Sequence, residues 1–201
     1  MSTPNPLEAS HSSPQTAVSS KTYHIAGILT TVHGLEELPS SCDSVACLWL
    51  LHPRLQTKET MAPVGTSIIH AWNQRRKSSG SKKGLIAVAF DQRNHGSRKV
   101  DKLANKTWIH GNPNHAQDMF SIFHGTAMDT SLLIDHLGSY IFSTPNSPVI
   151  VQHFVLGISL GGHAAWQVLF HEPRVSAAVV IIGCPDYMRE SSLIILIYSN
   201  R

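Results

Sequence analysis

The sequence predicts an α/β fold: a three-layer α/β/α sandwich on a mostly parallel sheet. Three observations predict it. Short, unbroken apolar runs recur along the chain, each of strand length and too uniformly apolar to keep one face in water. Segments with apolar residues at helical spacing separate these runs, and Gly, Pro and Ser mark the joints. Strands buried on both faces that alternate with helices define a parallel sheet covered on both sides. No internal repeat breaks the pattern.

In chain order, residues 1–21 are rich in Ser, Thr, Pro, Asn and Gln and read as a disordered tail, with too little apolar surface to offset ordering entropy. The folded core is expected over residues 22–190. Tyr23 to Val32 reads as a first strand with a turn or bulge at Gly27. Ser44 to Leu51 is a buried strand. Gly65 to Arg76 reads as a helix carrying Ile68, Ile69 and Trp72, and a polar loop runs from Lys77 to Lys83. Leu85 to Phe90 is the next buried strand, ended by Asp91. Asn114 is a candidate N-cap for a helix on which Ala116, Phe120, Phe123 and Ala127 repeat at threes and fours, continuing through Thr130 to Leu137. After Pro145 to Pro148, Val149 to Leu156 forms a strand. Leu160 to Phe170 forms a helix stopped near Pro173, and Ala177 to Ile182 forms another strand apolar on both faces. Residues 191–201 form a divergent apolar tail, Ser191 to Tyr198, without the loop and helix spacing expected next.

The totals narrow the function. With 42% hydrophobic and 14% charged residues, the 201-residue chain is globular and about one domain. The net charge of +3 is mild. Its one basic cluster, Arg75-Arg76-Lys77 on to Lys82-Lys83, lacks the interleaved aromatic residues of a nucleic-acid surface and reads as a solvated loop. Three cysteines (Cys42, Cys47, Cys184) form no even framework, which favours a reducing, cytoplasmic setting. No signal core is visible, and Leu193 to Tyr198 is too short to span a membrane. The thirteen histidines include no H-E-x-x-H pair, His110 and His115 fall in a loop, and no carboxylate or cysteine cluster accompanies them. No metal site and no cofactor are expected.

The chemistry concentrates in Gly157-Ile158-Ser159-Leu160-Gly161, a G-x-S-x-G match between an apolar strand and a helix opening with small residues. In such a turn the serine takes a strained conformation that leaves no room for bulky neighbours, hence the glycines. The Leu160 N–H then lies at a helix N-terminus, where it can hold a developing oxyanion. The plain alternative is an ordinary strand-to-helix turn with Ser159 as an N-cap. Two further segments follow buried strands: Asp91-Gln92-Arg93-Asn94-His95-Gly96 and His52-Pro53-Arg54.

With these three segments in order, the chain resembles the α/β-hydrolase superfamily over about Tyr23 to Tyr187. The resemblance matches Asp91 to Gly96 to a D-x-R-G-H-G-like sequence, with Asn94 in place of the usual glycine. It matches His52 to Arg54 to a His-Gly-x sequence, with Pro53 in place of glycine. It implies Ser159 as nucleophile, the N–H groups of Leu160 and Arg54 as oxyanion donors, and His95 as a builder of its loop. Asp186, just past the sixth strand, stands where some members place the acid; the plain alternative is a turn aspartate after Pro185. Members place the base histidine after the eighth strand, whereas the last histidine here is His171, twelve residues past Ser159, so no base is identified. The resemblance implies hydrolysis of an ester, thioester or amide through an acyl-enzyme, on a small acyl substrate and without a cofactor. It also implies a C-terminally truncated chain, lacking the last strands and the cap and inactive or nearly so. The competing expectation is a non-catalytic α/β-hydrolase-like binding protein or the fragment of a gene.

Overall fold

The computed structural model describes residues 16–186; the expectations for residues 1–15 and for the apolar tail at 191–201 fall outside them. The chain before the first strand is already tied down, with Val18 buried and both the Ser19 N–H and hydroxyl donating to the Glu37 carboxylate. The span read as one strand is a hairpin, β1 (Ser20–Ile25) and β2 (Ile28–His33). Ala26 and Gly27 both have positive φ, 49° and 81°, the geometry of a two-residue turn between twisted antiparallel strands. β1 thus begins two residues inside the segment read as a tail.

The four apolar runs are β3 (Ser44–Leu51), β4 (Gly84–Phe90), β5 (Val149–Ile158) and β6 (Val175–Ile181). Among the described residues they complete a six-stranded sheet in the order β1-β2-β4-β3-β5-β6. The hairpin joins antiparallel through β2 and β4, and the other pairings are parallel. Among the described residues three α-helices cover the sheet: α1 (Ala62–Ser79), α2 (His115–Ile141) and α3 (Leu160–His171). Alternate side chains of β3 explain the layers. Cys47, Trp49 and Leu51 pack with Met119, Phe123, Leu133, Leu137 and Val168 from α2 and α3. Ala46, Leu48 and Leu50 point the other way, to Ile69 of α1.

Local chemistry sets the helix ends. α1 begins earlier than its apolar spacing suggests because Pro63 suits a first turn, and it stops at Gly80 in the left-handed region (φ 70°). Asn114 precedes α2, but its side chain makes no capping bond. β6 differs from expectation. Ala178 and Val180 pack on the α3 side, while Val179 and Ile181 on the other face are 53% and 42% exposed. Apolar composition reports what a strand is able to bury, and burial itself needs a covering element. Among the described residues, β6 has β5 on one side and no strand on the other.

Candidate active site

The carboxyl ends of the four parallel strands share an unusual backbone feature. Shortly after β3, β4, β5 and β6 come Leu55 (φ 64°), Asn94 (φ 57°), Ser159 (φ 55°) and Ile182 (φ 56°). Among the described non-glycine residues only Ala26, in the hairpin turn, also has positive φ. Such conformations cost on the order of 1–3 kcal/mol each and gather where structure serves function. The carboxyl edge is also where open α/β sheets bind ligands.

Ser159 links β5 to α3 with φ 55° and ψ −115°. Its N–H donates to the Ile181 carbonyl at 2.8 Å, pinning the turn to the end of β6, and its own carbonyl accepts the His163 N–H at 3.1 Å. The motif glycines have specific steric reasons. A Cβ on Gly157 would strike the Gly161 carbonyl, and one on Gly161 would strike the Leu51 carbonyl at the end of β3. Gly162 lies against the Ile181 and Ile182 carbonyls, and a Cβ on Gly183 would approach the Gly162 carbonyl carbon to 2.7 Å. The first turn of α3 is therefore wedged between the loops after β3 and β6. The Ser159 side chain makes no capping hydrogen bond, so its hydroxyl is not spent on the helix end. That separates the turn from a plain N-cap.

Leu160, the first residue of α3, is buried and has an N–H without an intrahelical partner. The Gly161 contact sets the loop after β3 directly beside it. Arg54 lies in that loop, and its guanidinium donates to the Asn105 carbonyl at 2.8 Å. Under this loop lies His52, fully buried, whose Nε2 accepts the Gln92 N–H at 3.0 Å and whose Nδ1–H donates to the Pro53 carbonyl at 2.8 Å. Burial pushes the His52 imidazole down to about 4, against partial support from that carbonyl. His52 is a neutral brace between the β3 and β4 loops.

The loop after β4 is built around two carboxylates. Asp91 accepts the Lys58 N–H at 2.9 Å and the Ser97 N–H and hydroxyl at 2.9 and 2.7 Å. Burial raises its pKa, but these bonds and the nearby Lys58 ammonium outweigh burial and leave it lowered. A Cβ on Gly96 would overlap the Asp91 carboxylate, and Gly96 also has φ +50°. Asn94 takes the glycine place through its own chemistry: its Oδ1 accepts the Val100 and Asp101 N–H groups at 2.9 and 2.8 Å. Asparagine is the non-glycine residue that best tolerates this conformation. His95 is buried, lowered by burial, and donates through Nδ1 to the Arg93 carbonyl at 3.0 Å, a loop-building role.

The second carboxylate, Asp129 of α2, was not legible in the sequence. Arg93 grips it with two bonds of 3.0 and 2.9 Å, and Arg98 adds a third at 2.8 Å. A carboxylate on an otherwise apolar helix face, with D-x-R elsewhere, was the available signal. His163 of α3 makes a further contact across the rim. Its Nδ1 lies 3.1 Å from the Cys184 carbonyl and 3.2 Å from the Cys184 N–H, coupling α3 to the loop that carries Asp186. Asp186 is exposed at the end of that loop. Among the described residues no histidine is hydrogen-bonded to the Ser159 hydroxyl. Nor does any group of three or more His, Cys, Asp or Glu side chains there offer a metal site.

An antiparallel hairpin leading a parallel sheet, with a strained serine turn after its fifth strand, defines an α/β-hydrolase-like fold. No family model and no curated protein matches the sequence. Among solved structures, the chain is similar to TT1662 from Thermus thermophilus at a TM-score of 0.55 and 20% identity, over 84% of this chain and 58% of that one. It is also similar to epoxide hydrolase VrEH1 from Vigna radiata (TM-score 0.45, 18% identity, 82% of this chain and 38% of that one). A third is serine hydrolase CCSP0084 from Cycloclasticus zankles (TM-score 0.47, 14% identity, 83% of this chain and 46% of that one). The chain thus spans 58% or less of the length of each.

Proposed function

We propose that the chain is a serine hydrolase that cleaves a small ester, thioester or amide through Ser159. The observation that carries this reading is the Ser159 hydroxyl, held on a strained turn and unspent as a cap. The Ser159 oxygen attacks the acyl carbon, the bond to the leaving group breaks, and the leaving group departs with a proton. Water then releases the acyl group from Ser159. The N–H groups of Leu160 and Arg54 hold the oxyanion, and Asp186 is the acid candidate. Three free cysteines support a reducing, cytoplasmic setting. No helix among the described residues is long and apolar enough to cross a membrane.

A specific observation favours a second reading. No described histidine reaches the Ser159 hydroxyl, so a non-catalytic binding protein on the same fold accounts for these residues equally well. Turnover of p-nitrophenyl acetate and of a short thioester separates the two. Turnover that Ser159→Ala abolishes supports the hydrolase. Equal rates for the wild-type chain and Ser159→Ala overturn it in favour of the binder.

A further inference from the structure

One face of the β1–β2 hairpin is polar. Ser20 stands opposite His33 and Thr22 opposite Thr31 in the hairpin register. Residues two apart share a face of a strand, and directly paired residues share it across strands, so all four project on one side. Facing them is the short helical turn Lys58–Met61 that leads into α1. Lys58, Glu59 and Ala62 form that second wall of a crevice of about 270 Å³. The chain enters β1 past His70, whose Nε2–H donates to the Thr16 carbonyl at 2.8 Å, about two turns along α1 from Ala62. No residue from 16 to 19 lines the crevice.

Most of the lining is already satisfied. The Thr22 and Thr31 hydroxyls bond each other at 2.9 Å. The Lys58 ammonium is balanced by Glu59 at 2.6 Å and Asp91 at 3.6 Å. His33 is the exception. It is 6% exposed, and neither ring nitrogen has a hydrogen-bond partner among the described residues. The other buried histidines there, His52, His95 and His153, each spend a ring nitrogen on a protein partner. Buried polar groups are ordinarily paired, so His33 points to a missing partner in the crevice. Burial lowers its pKa, which leaves a neutral ring with one N–H donor and one acceptor.

A hydroxyl gives and takes a hydrogen bond at once, so it suits either His33 nitrogen. An anion finds no unbalanced cation here, and a cation meets Lys58. An apolar group would leave both His33 nitrogens unpaired. We infer that the crevice binds a small uncharged polyol of monosaccharide size, whose neighbouring hydroxyls bond His33, Ser20 and the Thr22–Thr31 pair. A free sugar and the terminal residue of a glycoside offer the same chemistry.

The test follows the His33 ring resonances of the full chain by NMR during titration with glucose, galactose and mannose and with their methyl glycosides. Saturable shifts at millimolar concentration are expected with at least one of these sugars. Shifts with the methyl glycosides as well would show that a glycoside end is accepted; shifts with the free sugars alone would show that a free sugar is required. Thr31→Val keeps the shape of the wall and Ser20 is exposed. Thr31→Val and Ser20→Ala should therefore each weaken binding at least threefold with unchanged thermal melts, and His33→Phe should abolish it. Wild-type affinity in the Thr31→Val, Ser20→Ala double variant overturns the inference, as does tighter binding of acetate or phosphate than of any sugar. So does the absence of a saturable shift in the folded full chain, the result expected where water or the chain itself fills the crevice. Ser159 chemistry enters none of these readings.

Discussion

At the amino ends of β3, β4, β5 and β6 the chain enters each strand with ordinary backbone angles, or through Gly80; at the carboxyl ends it leaves through Leu55, Asn94, Ser159 and Ile182, all with positive φ. The two rims of one sheet are built under different constraints. Gly80 has open space around it, so its turn needs only a residue without a Cβ penalty. At the opposite rim neighbouring backbone fixes each turn. Gly157 meets Gly161, Gly161 meets Leu51, Gly162 meets Ile181 and Ile182, and Gly183 meets Gly162. Close packing of this kind holds a strained serine in place.

The largest effect that tests this contrast is steric. Gly157→Ala must displace the Gly161 carbonyl and should cost more than about 4 kcal/mol in urea unfolding. Gly80→Ala, strained in φ but unobstructed, should cost about 1 kcal/mol. Equal penalties would erase the difference between the rims.

Next comes pH. His52 is neutral in the folded chain, with its pKa pushed by burial to about 4, and takes up a proton on unfolding below about 6.5. Its contribution is complete above about 6.5 and is lost as pH falls toward 4, on the order of 3 kcal/mol. Burial lowers His33, His95, His115 and His153 in the same direction. Unfolding free energy should therefore fall steeply between pH 6.5 and 4, and less steeply in His52→Gln. A flat profile contradicts the brace assigned to His52.

Asp91→Asn keeps the shape of the β4 loop but removes the charge that gathers Lys58 and Ser97, and should cost about 2 kcal/mol. The smallest effect has the opposite sign. Ile182 is β-branched, 76% exposed and left-handed, so Ile182→Gly should gain about 1 kcal/mol in thermal unfolding. A loss there would mean that the Ile182 side chain supports the rim.

The parallel core was legible because uniform burial leaves uniformly apolar runs, as in Leu85 to Phe90. The serine turn was legible because steric exclusion dictates its glycines. The hairpin was not, since Ala26-Gly27 lacks the usual asparagine or aspartate and the flanking strands read as one. The exposed face of β6 was invisible because covering depends on other elements. Asp129 and His163 escaped because their partners, Arg93 and Cys184, are 36 and 21 residues away in sequence. Asn94 looked like a departure only until its side-chain bonds to Val100 and Asp101 were visible.

As proposed, the carboxyl rim presents Ser159 as a nucleophile. A fluorophosphonate probe with peptide mapping tests it most directly. Covalent labelling at Ser159 in the folded chain, absent in urea and in Ser159→Ala, is the predicted result. Folded protein that remains unlabelled at Ser159 would contradict it.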